Sequence, residues 1–209
     1  MQTATATWDN LPQILVGALL LNACLAPALV LAFLGLGMPA VIAGVLLGAP
    51  GWVALQGYQM GLVEGKAVPL STLLTAFRHF WTRGVRLGVL GIFLPVVTWL
   101  AGILLAPSGL AVPALTIGLL ASLLAGCVLV LYAVPLLVAY DHDVATVVRN
   151  GAILPGRHIN STVGMVALAV LCSLATIYIS SGLMFVLPAL YGMFAVNNCR
   201  LAIAQEEPL

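Results

Sequence analysis

Charge is the property that this sequence has least of. Its 209 residues include seven Lys or Arg and six Asp or Glu, together 6% of the chain, whereas an average soluble domain carries about 25%. Hydrophobic residues account for 63%, and the mean hydropathy is +1.18. A soluble fold cannot bury so much apolar surface, so we expect a single domain, residues 1–209, embedded in lipid. The net charge of +1 gives no reason to expect a nucleic-acid partner.

Signatures of several chemistries are missing as well. The sequence has no HExxH, GxSxG or P-loop motif, and its four cysteines form no CxxC pair. No Asp, Glu, Lys, Arg or His falls near the centre of an apolar segment, where a proton relay or a membrane-embedded b-type haem needs one. The one dense titratable cluster, residues 141–143, has consecutive side chains that point in different directions. We therefore predict a non-enzymatic protein without catalytic residues, metal or cofactor.

Six apolar segments are each long enough to cross a bilayer core of ~30 Å, which needs about 20 helical residues. They predict an all-α fold, a polytopic membrane helix bundle with six transmembrane helices. The predicted spans are residues 11–34, 40–63, 84–105, 111–138, 162–179 and 183–203. Prolines inside several of these segments predict kinked helices.

The few charges are concentrated in a small part of the chain. All thirteen lie before the first predicted span, in the connections 64–86 and 141–158, or at and beyond the end of the last span. With six spans, these four regions share one side of the membrane. Basic residues in short connections stay in the cytoplasm, so we predict that the N- and C-termini are both cytoplasmic.

Each charged connection also contains a short amphipathic pattern, which predicts two short cytoplasmic helices. Residues 69–83 repeat apolar side chains at helical spacing, and Asp143 is a good N-cap for a second helix that Pro155 and Gly156 end. Two interpretations remain open: helices in the plane of the lipid headgroups, or docking surfaces for a cytoplasmic partner. Under the second interpretation, the predicted partner-binding residues are Phe77, Arg78, Phe80, Trp81, Arg83, Asp143, Arg149 and Arg157.

The two charged connections also share a spacing. Glu64 precedes the Arg-His pair at 78–79 by fourteen residues, and Asp143 precedes the Arg-His pair at 157–158 by the same number. An internal repeat with an offset of 79 residues and a chance match are both open. Internal repeats occur in transporters, so a true repeat favours transport.

Inside the spans, the informative residues are small or polar. Glycines recur at four-residue spacing, as at 44 and 48 or at 84 and 88. They let helix backbones approach closely, either within the chain or between copies in a homo-oligomer. Polar side chains of the second and sixth spans predict a candidate cavity. Its lining residues are Gln56, Gln59, Asn197 and Asn198.

Three stretches of the chain resemble the YesL-type membrane proteins, a domain family of unknown function. They are PGWVALQGYQMGLVEGKAVPLSTLLTAFRHFWTRG, LYAVPLLVAYDHDVATVVRNGAILPGRH and LMFVLPALYGMFAVNNCRLA. Members of that family are often encoded beside carbohydrate ABC importers. The resemblance therefore implies a bacterial inner-membrane protein with an accessory or regulatory role in carbohydrate uptake. Its implied partners are membrane lipid and components of a carbohydrate ABC transporter, and it supplies no catalytic residues.

Two other functions are compatible with the same residues. A self-contained small-solute carrier uses the candidate cavity, and solute flux in liposomes is its test. A structural subunit of a larger membrane complex uses the glycine faces, and a stable monomer in mild detergent argues against it.

Overall fold

The structure is a computed structural model, and it describes residues 11–66, 68–108 and 110–206. All regular structure in these residues is helical, which confirms the all-α prediction. The main helices are α1 (Leu11–Phe33), α2 (Gly37–Val63), α3 (Ser71–Leu105), α4 (Ala111–Tyr140), α5 (Val144–Arg157), α6 (Ile159–Tyr178) and α7 (Leu187–Glu206). Short 3-10 turns follow α3, at Ala106–Ser108, and precede α7, at Ser181–Phe185.

Five of these helices, α1 to α4 and α6, are long and apolar enough to cross a membrane. The sixth predicted span, 183–203, corresponds to α7, which is not one of the five within the described part of the chain. Asn197, Asn198 and Arg200 lie in α7 and lower its hydropathy. The helices are thus those of a multi-pass membrane protein, but a sixth span is not confirmed.

The stretch 69–83, predicted to be a separate amphipathic helix, is the beginning of α3 from Ser71 onward. This helix runs for 35 residues, without a break between Arg83 and Gly84. The boundary contains no proline or turn sequence, and Gly84 is buried inside the helix instead of ending it. The predicted separation of an interfacial helix from the third span is therefore not confirmed.

The second amphipathic pattern does form a helix of its own, α5. Asp143 caps it, because its Oδ2 accepts a hydrogen bond from the backbone N–H of Ala145 over 3.4 Å. Pro155 does not end the helix, which continues to Arg157, because a proline there removes only one backbone donor near the last turn. The backbone of His158, with φ −119° and ψ 52°, separates α5 from α6.

Two clusters of buried side chains form the core of the described chain, and α7 contributes to both. The first cluster joins α1, α2 and the start of α3 to the first half of α7; it comprises Ile14, Ala18, Leu21, Leu55, Tyr58, Leu62, Leu73, Ala189 and Met193. The second cluster joins the bundle around α4 and α5 to the second half of α7; its members include Phe80, Leu87, Leu131, Leu137, Val144, Val147, Ala195 and Cys199. Because α7 packs against protein along its length, its sequence tolerates polar residues that a lipid-facing helix excludes.

The helices α2 and α4 share an irregularity. Each contains five residues of π-helix, Gly44–Gly48 in α2 and Leu129–Ala133 in α4. In both helices a proline follows two residues later, Pro50 or Pro135. Such π segments are rare and often mark functional sites. We refer to residues 44–50 as the α2 joint and to residues 129–135 as the α4 joint.

Candidate functional site

The charged end of the bundle, formed by His79, Arg83 and Asp141, is where α3 meets the C-terminus of α4. Asp141 follows α4 in a left-handed backbone conformation, with φ 52°. Its Oδ1 accepts a hydrogen bond from Nη1 of Arg83 and lies 3.3 Å from Nε2 of His79. The connections 64–86 and 141–158, which were predicted to share one side of the membrane, therefore meet at one end of the bundle.

Two opposing effects set the pKa of Asp141. Desolvation raises the pKa, but hydrogen bonds from Arg83 and His79, together with their charges, outweigh it and hold the pKa below its usual value. The contact therefore stabilises the fold above the ordinary Asp pKa of about 4, and this stabilisation is lost as the pH falls through the lowered pKa. The Asp141 side chain is 54% exposed, so water screens much of the attraction.

Further side chains connect the same two chain segments. Nη1 of Arg86 lies 4.0 Å from Oδ1 of Asp143, which adds a weak ion pair between α3 and the start of α5. The rings of Tyr140 and His142 stack with centroids 5.8 Å apart and an angle of 10° between their planes. The Arg86–Asp143 pair links α3 to the segment after α4, whereas the Tyr140–His142 stack lies within that segment.

Two cavities open beside the charged end. One, of about 410 Å³, lies between α4, α5 and α7, and its mainly apolar wall carries Asn150 and Arg157. The other, of about 400 Å³, lies between α2 and α3 and includes Glu64 and His79. In the described parts of the chain, no three His, Cys, Asp or Glu side chains are grouped as a metal site requires. The geometry of this end of the bundle thus offers charge recognition and hydrogen bonding.

The predicted partner-binding residues separate into an exposed group and an occupied group. The exposed group is Arg78, Trp81, Asp143, Arg149 and Arg157. Phe80 is only 8% exposed and packs in the core, and Arg83 is held by Asp141. Phe77 is half-buried. The partner-binding role of these residues stays a prediction, and the structure places most of the Phe80 side chain in the core.

Trp81 is 39% exposed, but it also has an intramolecular contact that the sequence analysis missed. Its indole Nε1–H donates a hydrogen bond to the backbone carbonyl of Leu46, over 3.1 Å. The sequence signal for this contact is Pro50, because a proline cannot donate to the carbonyl four residues before it. The polar edge of Trp81 is therefore bound to α2.

The residues of the candidate cavity are divided between two places. Gln59 is fully buried, and its Nε2 donates to the carbonyl of Ala189 at the start of α7 over 2.6 Å. Asn198 accepts a hydrogen bond from the hydroxyl of Ser161 on α6, and Asn197 is its neighbour. Nine residues separate the two contacts along α7, which at 1.5 Å per residue is about 13 Å.

Gln56 is the most unusual of these residues. It is fully buried, and neither its amide oxygen nor its amide nitrogen has a hydrogen-bond partner within residues 11–66, 68–108 and 110–206. The Oε1 of Gln59, one helical turn away, likewise has no hydrogen-bond partner within these ranges. A buried amide without a partner costs free energy, so these atoms are a candidate solute contact.

The chain matches no protein-family model, no curated protein and no solved structure. The resemblance to the YesL-type proteins therefore stays a prediction.

Proposed function

We propose that this chain is a non-enzymatic multi-pass protein of the bacterial inner membrane that assists carbohydrate uptake. In this proposal the charged end faces the cytoplasm and binds a component of a carbohydrate ABC transporter. The five apolar helices support the membrane assignment, and the resemblance to the YesL-type proteins supports the class of partner. The observation that carries the docking role is a pair of exposed arginines that no acid of the described chain neutralises.

The length of α3 favours a charged end that projects beyond the lipid. Its 35 residues, at 1.5 Å each, span about 52 Å, whereas the bilayer core is about 30 Å thick. The second half of α3 is apolar and exposed, with Trp99 64% accessible, so it is the half that suits lipid. The excess length then belongs to the first half, which carries Arg78 and Arg83. With the proposed cytoplasmic orientation, the charged end is within reach of a cytoplasmic protein domain.

The pair consists of Arg78 on α3 and Arg149 on α5, which are both exposed. Neither forms an ion pair with any residue that the structure describes. Arg83, by contrast, is already neutralised by Asp141. A partner surface that presents carboxylates therefore meets two available cations, and such complementarity sets the orientation and the rate of docking.

The test reverses the two available charges and leaves the paired ones intact. Arg78→Glu combined with Arg149→Glu is expected to lose the transporter components from a pull-down of the tagged chain out of its native membrane in mild detergent. Mass spectrometry identifies the partners, and carbohydrate uptake by the same cells is expected to fall. The matched control is Arg78→Lys with Arg149→Lys, which keeps the charge and is expected to keep the partner.

Two outcomes contradict the proposal at different points. If the reversed variant retains the same partners as the parent, the docking surface is wrong. If the parent protein brings down neither an ABC permease nor its ATPase, the class of partner is wrong. If the pull-down gives only a homo-oligomer of this chain without other proteins, it favours a self-contained small-solute carrier.

The buried amides of Gln56 and Gln59 favour a second function, that of a self-contained small-solute carrier. Polar groups without partners inside a membrane bundle are expensive, and those that persist are often functional. Flux of a sugar or another small polar solute into liposomes that contain the purified protein supports this function, provided that Gln56→Leu abolishes the flux. Absence of flux across a broad solute panel, with a correctly folded protein, argues against it.

A further inference from the structure

The α2 joint lacks one backbone hydrogen-bond donor. Leu46 lies in the π segment, but the α-helix resumes at Ala49. In that α-helical register the donor to the Leu46 carbonyl is the N–H of residue 50, and Pro50 has no N–H. The indole Nε1–H of Trp81 donates to this carbonyl instead, over 3.1 Å. A backbone carbonyl without a donor costs free energy. A side chain of α3 thus completes the hydrogen bonding that the backbone of α2 cannot complete.

The backbone of α3 also lies very close to the same joint. A Cβ atom at Gly84 would lie 2.7 Å from the Cα of Pro50, and one at Gly88 would lie 2.7 Å from the Cβ of Ala49. Both distances are shorter than real Cβ contacts, so glycine is needed at both positions. The contact of Trp81 with Leu46 therefore belongs to a larger interface between α3 and the α2 joint.

From this arrangement we propose that Trp81 is a latch for the α2 joint. While its hydrogen bond to Leu46 is made, α2 is held in one bent form. When the bond breaks, the joint opens and the parts of α2 on either side of Pro50 move relative to each other. Prolines and π segments are the places where helices bend, so the joint is the part of α2 built for this movement.

The latch is also connected to the charged end. Trp81 lies in the same turn of α3 as His79 and Arg83, which both contact Asp141 at the end of α4. A change at Asp141 that rotates this turn therefore also displaces the indole from Leu46. The latch itself follows from the Trp81 contact alone, so it does not depend on the function proposed above.

The α4 joint provides an internal reference in the same molecule. It has the same pattern of a π segment followed by Pro135. There the contact with α3 is ordinary, because a Cβ at Gly91 would lie 3.7 Å from the Cδ1 of Leu129. Loss of the Trp81 contact is therefore expected to open the α2 joint and to leave the α4 joint unchanged.

Hydrogen–deuterium exchange, followed by mass spectrometry on the protein in lipid nanodiscs, tests the latch. Trp81→Phe keeps the ring and removes the N–H, and it is expected to raise amide exchange in residues 44–51 about fivefold, the factor for one net hydrogen bond. Exchange in residues 129–136 is expected to stay the same. The matched control is Trp99→Phe, on the lipid-exposed part of α3, which is expected to change neither peptide.

A second variant keeps the test decisive if Trp81→Phe folds poorly. Pro50→Ala restores the missing backbone donor, so it is expected to slow amide exchange in residues 44–51. When Trp81→Phe is added to this variant, exchange in residues 44–51 is expected to stay nearly the same. The latch is overturned if Trp81→Phe leaves residues 44–51 unchanged, or if it speeds both peptides equally. It is also overturned if Trp81→Phe has its full effect in the Pro50→Ala background, or if Pro50→Ala alone does not slow exchange.

Discussion

Replacing Gly84 by alanine measures how closely α3 packs on the α2 joint. The new Cβ atom would lie 2.7 Å from the Cα and 3.1 Å from the N of Pro50, whereas ordinary contacts begin at 3.4 Å. Because both partners are backbone atoms, no side chain can rotate to make room, and the two helices have to separate. Overpacking of this kind costs about 1–3 kcal/mol of folding free energy.

Gly91, two turns further along α3, is the matched control for Gly84. The nearest atom to its added Cβ is the flexible Cδ1 of Leu129 at 3.7 Å, an ordinary contact. Both substitutions gain the same helix propensity of about 1 kcal/mol, so the difference between the two variants reports packing alone. We expect Gly84→Ala to be less stable than Gly91→Ala by about 1–3 kcal/mol.

Reversible unfolding by SDS in mixed detergent micelles, followed by far-UV circular dichroism, measures both free energies of unfolding. Equal values for Gly84→Ala and Gly91→Ala would refute the close approach of α3 to Pro50. A Gly84→Ala variant more stable than the parent would refute it as well, since helix propensity alone would then account for the change.

The same assay checks two further predictions. Lowering the pH through the depressed pKa of Asp141 is expected to destabilise the protein. The variant Asp141→Asn is expected to be less stable at pH 7 and to lose this part of the pH dependence. An unchanged pH profile in that variant contradicts the role of Asp141. Gln59→Leu is expected to lower stability because it removes a buried 2.6 Å hydrogen bond to α7. Gln56→Leu is expected to raise stability because its amide has no partner in the described chain. Shifts of the same sign in the two glutamine variants contradict this reading.

Hydropathy predicts the lipid-facing helices because a helix in lipid must be apolar along most of its length. The predicted spans agree with α1, α2 and α4 to within three residues at either end. The same rule does not apply to α7. Its buried residues, such as Ala195 and Cys199, face other helices, and hydropathy cannot distinguish a helix inside a bundle from a helix in a loop region.

The positions of charged residues are likewise easier to predict from sequence than the side chains with which they form ion pairs. The clustering of basic residues predicts that two connections share one side of the membrane, and the contact between Arg83 and Asp141 brings these connections together at one end of the bundle. The contact itself joins residues 58 positions apart, and no local pattern signals it. Phe80 illustrates the same limit, because an apolar residue on an amphipathic stretch has the same sequence signature whether lipid, a partner or the protein's own core covers it.

The placement of α7 in both core clusters has a consequence for how the protein is made. During synthesis α1 to α6 emerge before α7, so neither cluster can close until α7 has left the ribosome. Until then side chains such as Tyr58 and Leu137, fully buried in the finished fold, still lack the α7 side chains of their clusters. The unfinished chain is therefore an open assembly that membrane chaperones and proteases can recognise. Arrival of α7 supplies the side chains that complete both clusters.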